Sequence, residues 1–206
     1  MRNTLLILVL VFFAASCEKD LYLEGGPTNG KNYGRNNVEV GAVQLPFSAT
    51  FTTISDGSLI CLFKGIETLK YLCGTENGSY IAGGGPITGN ATHVGLIQEN
   101  LSSWKVTDFD LIFGNIGTDE DPVIGPISII EYIEGEIHSA NGDYYTYEGE
   151  AIVSLVGEPV LSGEMRFTGG TGRFEGVSGS IQLSGTADFE TGSATFKGNG
   201  VIIYPR

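Results

Sequence analysis

The chain has 206 residues, 31 of them glycine, and its 24 Asp and Glu against 11 Lys and Arg give a formal charge of −13. That acidity repels phosphate backbones and anionic headgroups and argues against nucleic-acid binding; it fits either plain solubility or an acidic surface for cations. Three cysteines and two histidines 45 residues apart provide no zinc spacing, and no metal or cofactor is expected.

The first element is an export signal. Met1-Arg2-Asn3 supplies a positive start, Leu5 to Phe13 is an unbroken apolar run, and Ala14-Ala15-Ser16-Cys17 follows. The run is about half the roughly 20 residues of a spanning helix. Small residues directly before a cysteine resemble the cleavage box of bacterial lipoproteins. The resemblance implies cutting after Ser16, acylation of Cys17, partition to a membrane through that lipid and residence in a bacterial cell envelope. The alternative is an ordinary signal cut near Ala15 with an incidental cysteine. Removing residues 1–16, in which Arg2 is the one charge, leaves 190 residues and a formal charge of −14.

Residues 17–37 hold four Gly and four Asn and few core formers, the composition of a flexible tether. Residues 38–206 then alternate short β-branched or aromatic runs with Gly, Asn and Asp, which predicts one all-β domain, an antiparallel barrel or sandwich of about eight to ten strands. Phe47, Ala49 and Phe51 form a first apolar face, followed by Leu59, Cys61 and Phe63, by a segment over 92–99, and by Phe109, Leu111 and Phe113. Ile66 to Leu72 reads as a helical turn in a long connection. Cys61 and Cys73 meet oxidising conditions in an exported chain and either pair or stay free.

Parity sharpens the later strands, because a strand with one buried face carries its apolar residues at every second position. Odd positions are apolar or glycine in 127–138, with Glu131 the exception, and in 145–155, 161–167 and 181–189, as are even positions in 194–204. Turn lengths must agree. A three-residue loop Ala140-Asn141-Gly142, with Gly142 left-handed, sets Ile137 opposite Tyr145 and Glu131 opposite Ala151. A five-residue loop over 156–160 sets Leu155 opposite Leu161 and Ala151 opposite Met165. The even loop Thr191-Gly192 sets Phe189 opposite Ala194. Together these connections give one continuous apolar face, as a barrel interior requires.

Phe167-Thr168-Gly169-Gly170-Thr171-Gly172-Arg173-Phe174-Glu175-Gly176-Val177-Ser178-Gly179 resembles the glycine-rich segment of the allene oxide cyclase and dirigent-like barrels. With Thr92-His93-Val94-Gly95 and Asn141-Gly142-Asp143 it also resembles a group of bacterial secreted barrel proteins. The resemblance implies an eight-stranded, calycin-like barrel with an apolar interior; the motif is one of turns and packing, so it transfers fold and no chemistry.

Glu131 is the most informative single residue, since parity sets its carboxylate among Ile127, Ile129, Ile133 and Ile137, opposite the small Ala151, where it would hold its proton tightly and serve as acid, base or ligand anchor. A bulge at Ile129-Ile130 would instead turn it outward. Tyr145, Tyr147 and Met165 share its face; the two phenols either contact a ligand or cap a barrel mouth. His93 and His138 read as packing or surface groups. The expected activity is non-catalytic binding of a small apolar ligand or presentation of a surface. A cyclase or isomerase acting on an apolar substrate in the lumen, and a structural assembly protein, are the alternatives.

Overall fold

A computed structural model describes residues 42–206 apart from 63, 65–72 and 76–78; Cys17, the tether and the helical turn read over Ile66 to Leu72 lie outside the described residues. In chain order the strands are β1 (Val43–Thr53), β2 (Leu59–Cys61), β3 (Tyr80–Ala82), β4 (Gly84–Ala91), β5 (Gly95–Leu96) and β6 (Ser103–Asn115). They continue with β7 (Ile124–His138), β8 (Tyr144–Ser154), β9 (Val160–Gly170), β10 (Ser178–Asp188) and β11 (Ser193–Tyr204). β1-β11-β10-β9-β8-β7-β6-β4 lie side by side, and β4 pairs back onto β1, so eight strands close an antiparallel ring. β5 appends to β4, and β2 and β3 form a separate hairpin. The fold is an all-β barrel, as the alternation predicts.

The interior is the odd face of β1, β7, β8, β9 and β10 and the even face of β11: Phe47, Phe51, Ile137, Ala151, Met165, Ile181 and Ile202 are buried there. Glycine permits the tight closure at two positions above all. A Cβ on Gly149 would stand 2.3 Å from the Glu164 carbonyl, and one on Gly163 would stand 2.1 Å from the Glu150 carbonyl. Neighbouring backbones therefore approach over bare glycine where the sheet bends. The motif at 167–179 is a strand end, a 3-10 turn over Gly172–Phe174 and the start of β10, with Phe174 and Val177 buried as plugs.

The loop at 140–142 has the expected register: Ile137 faces Tyr145 and Glu131 faces Ala151. Ser139 N–H donates to the Asp143 carbonyl, and Gly142 has φ +90°. Two other registers keep the expected parity but shift by two residues. Ala151 pairs with Gly163, not Met165, and Val153 pairs with Leu161. Leu155 stays in line with β7, its N–H donating to the Ile127 carbonyl, while the pairing of β8 with β9 ends at Val153 and Leu161. Ala187, not Phe189, faces Ala194. Asp188 Oδ1 accepts the N–H groups of Glu190 and Thr191, so the turn begins at once and leaves Phe189 55% exposed in the loop.

Three early readings are corrected. Leu59 is 63% exposed, and it is Ile60 that packs inward from β2. Only Gly95–Leu96 of the 92–99 segment is strand, since residues 92–94 form a turn with His93 at φ +67°. Phe113 is 53% exposed because the β6–β7 register slips between Ile112 and Phe113.

Candidate functional site

The core divides into a large aromatic-rich cluster and a small aliphatic one around Ile81, Val106 and Ile129, joined by Trp104 and Ile133. Tyr145, Tyr147 and Met165 belong to the first. Tyr145 is 0% exposed, its ring edge-on to Phe47, Phe167 and Phe174 at 6.1, 5.0 and 5.5 Å between centroids. Its hydroxyl has no hydrogen-bond partner among the described residues, and burial holds the phenol well above its ordinary pKa. Tyr147 crosses the bare backbone of Gly135, and its hydroxyl donates to the Ser103 carbonyl on β6 at 3.3 Å. Met165 is buried by packing. These three side chains fill this half of the lumen.

The two phenols should therefore respond oppositely to loss of the hydroxyl. Tyr147→Phe forfeits a hydrogen bond to a carbonyl and is expected to cost about 1 kcal/mol. Tyr145→Phe removes an unpartnered polar atom and is expected to be neutral or stabilising. Urea unfolding of both variants measures the contrast; equal losses would show that a buried water or other group satisfies Tyr145.

Glu131 sits elsewhere. The β7–β8 pairing is unbroken from Ser128 to His138, so no bulge at Ile129-Ile130 turns it outward. The irregularities fall in the β6–β7 pairing, between Val106 and Asp108 and at Ile112/Phe113. Glu131 thus faces inward between Ile129 and Ile133, with Phe109 opposite on β6 and Ala151 on β8. It is six residues along β7 from Ile137, the partner of Tyr145, or roughly 20 Å at about 3.3 Å per residue. The predicted cluster of Glu131, Tyr145, Tyr147 and Met165 is therefore not one site.

The stagger of the ring fixes the level of Glu131. Following paired residues from Glu131 through Ala151, Gly163, Leu183, Gly198, Ala49 and Ala91 leads to the chain before Ser103, not back to Phe109. The strands are steeply tilted, and Glu131 lies level with the end at which β1, β8 and β10 finish. It belongs to a mouth of the barrel. The β2–β3 hairpin covers this mouth: Ile60, Leu62 and Ile81 pack with Val106, Ile129, Phe109 and Leu111. Cys61 and Cys73 are joined by a disulfide, with Cα atoms 5.7 Å apart, which ties the hairpin to the connection between its strands.

Desolvation by these apolar walls pushes the Glu131 carboxyl up to about 7. It has no hydrogen bond or ion pair with any described residue, although it is mostly buried. Beyond the mouth β6 and β7 run on together past the end of β8, to Asn115 opposite Ile124. They form a lip with exposed Ile112, Phe113, Ile116 and Ile124, and at the same end Val156 and Phe189 are exposed in loops and Val160 at the start of β9. Sequence reasoning named Glu131 but missed the hairpin cover and the lip; the pairing of Cys61 and Cys73 was the available signal for the first.

An open groove of about 810 Å³ also runs along the seam where β4 meets β6, lined by Asp56, 58–60, Gly83–Pro86 and 99–106. Its buried polar side chain, Ser102, already accepts the His138 N–H. No group of three His, Cys, Asp or Glu able to hold a metal occurs among the described residues.

No family model and no curated protein matches the chain. Solved structures that align with it include two dirigent proteins. The pterocarpan synthase dirigent protein GePTS1 is 17% identical over 80% of this chain and 87% of its own, with a TM-score of 0.39. The pterocarpan synthase dirigent protein PsPTS1 is 16% identical over 80% of this chain and 96% of its own, with a TM-score of 0.27.

Proposed function

We propose that this chain is a lipid-anchored cell-envelope protein whose barrel mouth holds a small apolar or amphipathic ligand, and that it acts as a binding module rather than an enzyme. The observation that carries the reading is Glu131: an inward carboxyl, unpaired among the described residues and set between Ile129, Ile133 and Phe109 beneath an apolar hairpin. Placing such a group in apolar surroundings costs free energy, and sites that tolerate the cost are frequently functional. An isomerase or cyclase would need a second polar group within reach of the same substrate atom. Tyr145 and Tyr147, which share the face of Glu131, lie in the other half of the lumen, and this separation favours binding over catalysis. The anchor rests on Ala14-Ala15-Ser16-Cys17.

Native mass spectrometry of the protein extracted from its own membranes tests the reading. A co-purifying small molecule that is lost in Glu131→Leu is the expected result. Absence of any adduct, together with failure to bind N-phenyl-1-naphthylamine, a neutral apolar fluorophore, would overturn it.

A further inference from the structure

We propose that the ligand of this mouth is a cationic amphiphile: a protonated amine or similar nitrogen cation paired with the Glu131 carboxylate, its hydrocarbon part lying along the apolar walls and lip. The proposal rests on the binding reading above and narrows it to one chemical class.

Charge supplies the first argument. Along the inward faces of the ring strands the described residues include no Lys, Arg or His, and Glu131 is their one carboxylate. The groups facing it are Phe109 from β6, Ala151 from β8, and Ile129 and Ile133 from its own strand; the covering hairpin contributes Ile60, Leu62 and Ile81. Tyr80, also on the hairpin, is engaged through its hydroxyl by the Gly74 N–H. A fatty acid or phosphate head entering this mouth would meet a like charge, and no inward side chain of the ring strands among the described residues supplies a cation to offset either. A neutral head would leave a carboxylate unpaired in apolar surroundings, or hold it protonated. A cation supplies the missing partner, and desolvation strengthens a charge-assisted hydrogen bond between them.

Shape supplies the second. A lone carboxylate is too poor a donor set for a divalent ion, which takes several oxygens. A small hydrophilic cation would gain nothing from the lip, where Phe113 is 53% and Ile124 71% exposed. An amphiphile uses both features, since each buried CH₂ contributes about 0.8 kcal/mol.

The sign of the pH effect separates a cation from a neutral acceptor. A cation binds the ionised carboxylate, so affinity rises as pH climbs through about 7. A ligand carbonyl would accept from the protonated acid, and its affinity would fall over the same range.

The test uses the full chain and three probes of one length, dodecylamine, dodecanol and dodecanoate. Trp104, the chain's one tryptophan, bridges the two clusters and reports occupation by its fluorescence. At pH 8 dodecylamine is expected to bind at least tenfold more tightly than dodecanol, and dodecanoate most weakly. The advantage of the amine should shrink severalfold at pH 5.5. Glu131→Gln should abolish it while dodecanol binding persists. General attraction of an acidic protein for cations acts on wild type and variant alike, so their difference isolates the site. If the variant does not fold, the wild-type pH profile alone decides the question. Equal binding of amine and alcohol, or preference for dodecanoate, would overturn the cationic class and leave the proposed binding of an apolar ligand standing. Failure of all three probes would overturn the pocket reading itself, and this inference with it.

Discussion

Replacing Glu131 by Gln should erase a pH dependence of stability worth about 3 kcal/mol, roughly 6–12 °C in melting temperature. In the folded protein the carboxyl keeps its proton up to about pH 7, against an ordinary value of 4.5 once the chain unfolds. Below pH 4.5 it is protonated in both states and contributes no slope. Between 4.5 and 7 folding takes up a proton that the unfolded chain lacks, so stability falls as pH rises. Above 7 the full loss is in place, because the native state must then bury a charge among Ile129, Ile133 and Phe109. The glutamine variant has nothing to ionise there. Every other titrating group is common to both proteins, so the difference between their melting temperatures isolates Glu131. Thermal unfolding at pH 4 and pH 8 measures it, and wild type should lose ground to the variant at the higher value. An unchanged difference would place the carboxyl in water, and both the pocket and its ligand class would lose their polar anchor.

Cys17→Ala is expected to move the protein from the membrane pellet to the soluble fraction, a change in partition of more than a hundredfold. An acyl chain contributes about 0.8 kcal/mol for each buried CH₂, and two or more chains make anchoring stable. No helix among the described residues is long and apolar enough to cross a bilayer. On the anchoring reading the thioether-linked lipid carries the whole attachment, so a one-atom change at the sulfur removes it. Carbonate extraction and phase partition in detergent measure the outcome. A variant that stays in the pellet would show that another part of the molecule holds the membrane. A wild type already soluble would favour the alternative cut near Ala15.

Much of the barrel was legible in the sequence because side-chain alternation is local. A residue's face depends only on its parity within a strand, so the inward positions Ile137, Ala151, Met165, Ile181 and Ile202 could be read without knowing any partner. Turn parity then linked the faces of successive strands. Parity fixes register only modulo two, however. The final step depended on individual hydrogen bonds: Leu155 held on β7 by the Ile127 carbonyl, and Asp188 gathering two amides to start its turn early.

What the sequence determined by itself is the all-β class, the inward face and the direction of the Glu131 side chain if β7 ran unbroken. That it runs unbroken from Ser128 to His138, with the irregularities placed at Thr107 on β6 and at Ile127 near the start of β7, was decided by pairing with β6 and β8. The ring closure of β4 on β1, the strap from Tyr147 to Ser103 and the hairpin over the mouth likewise join residues far apart in the chain. Such contacts have no period to read. They follow from the tilt and stagger of eight closed strands, which separated Glu131 from Tyr145 although both lie on the same face.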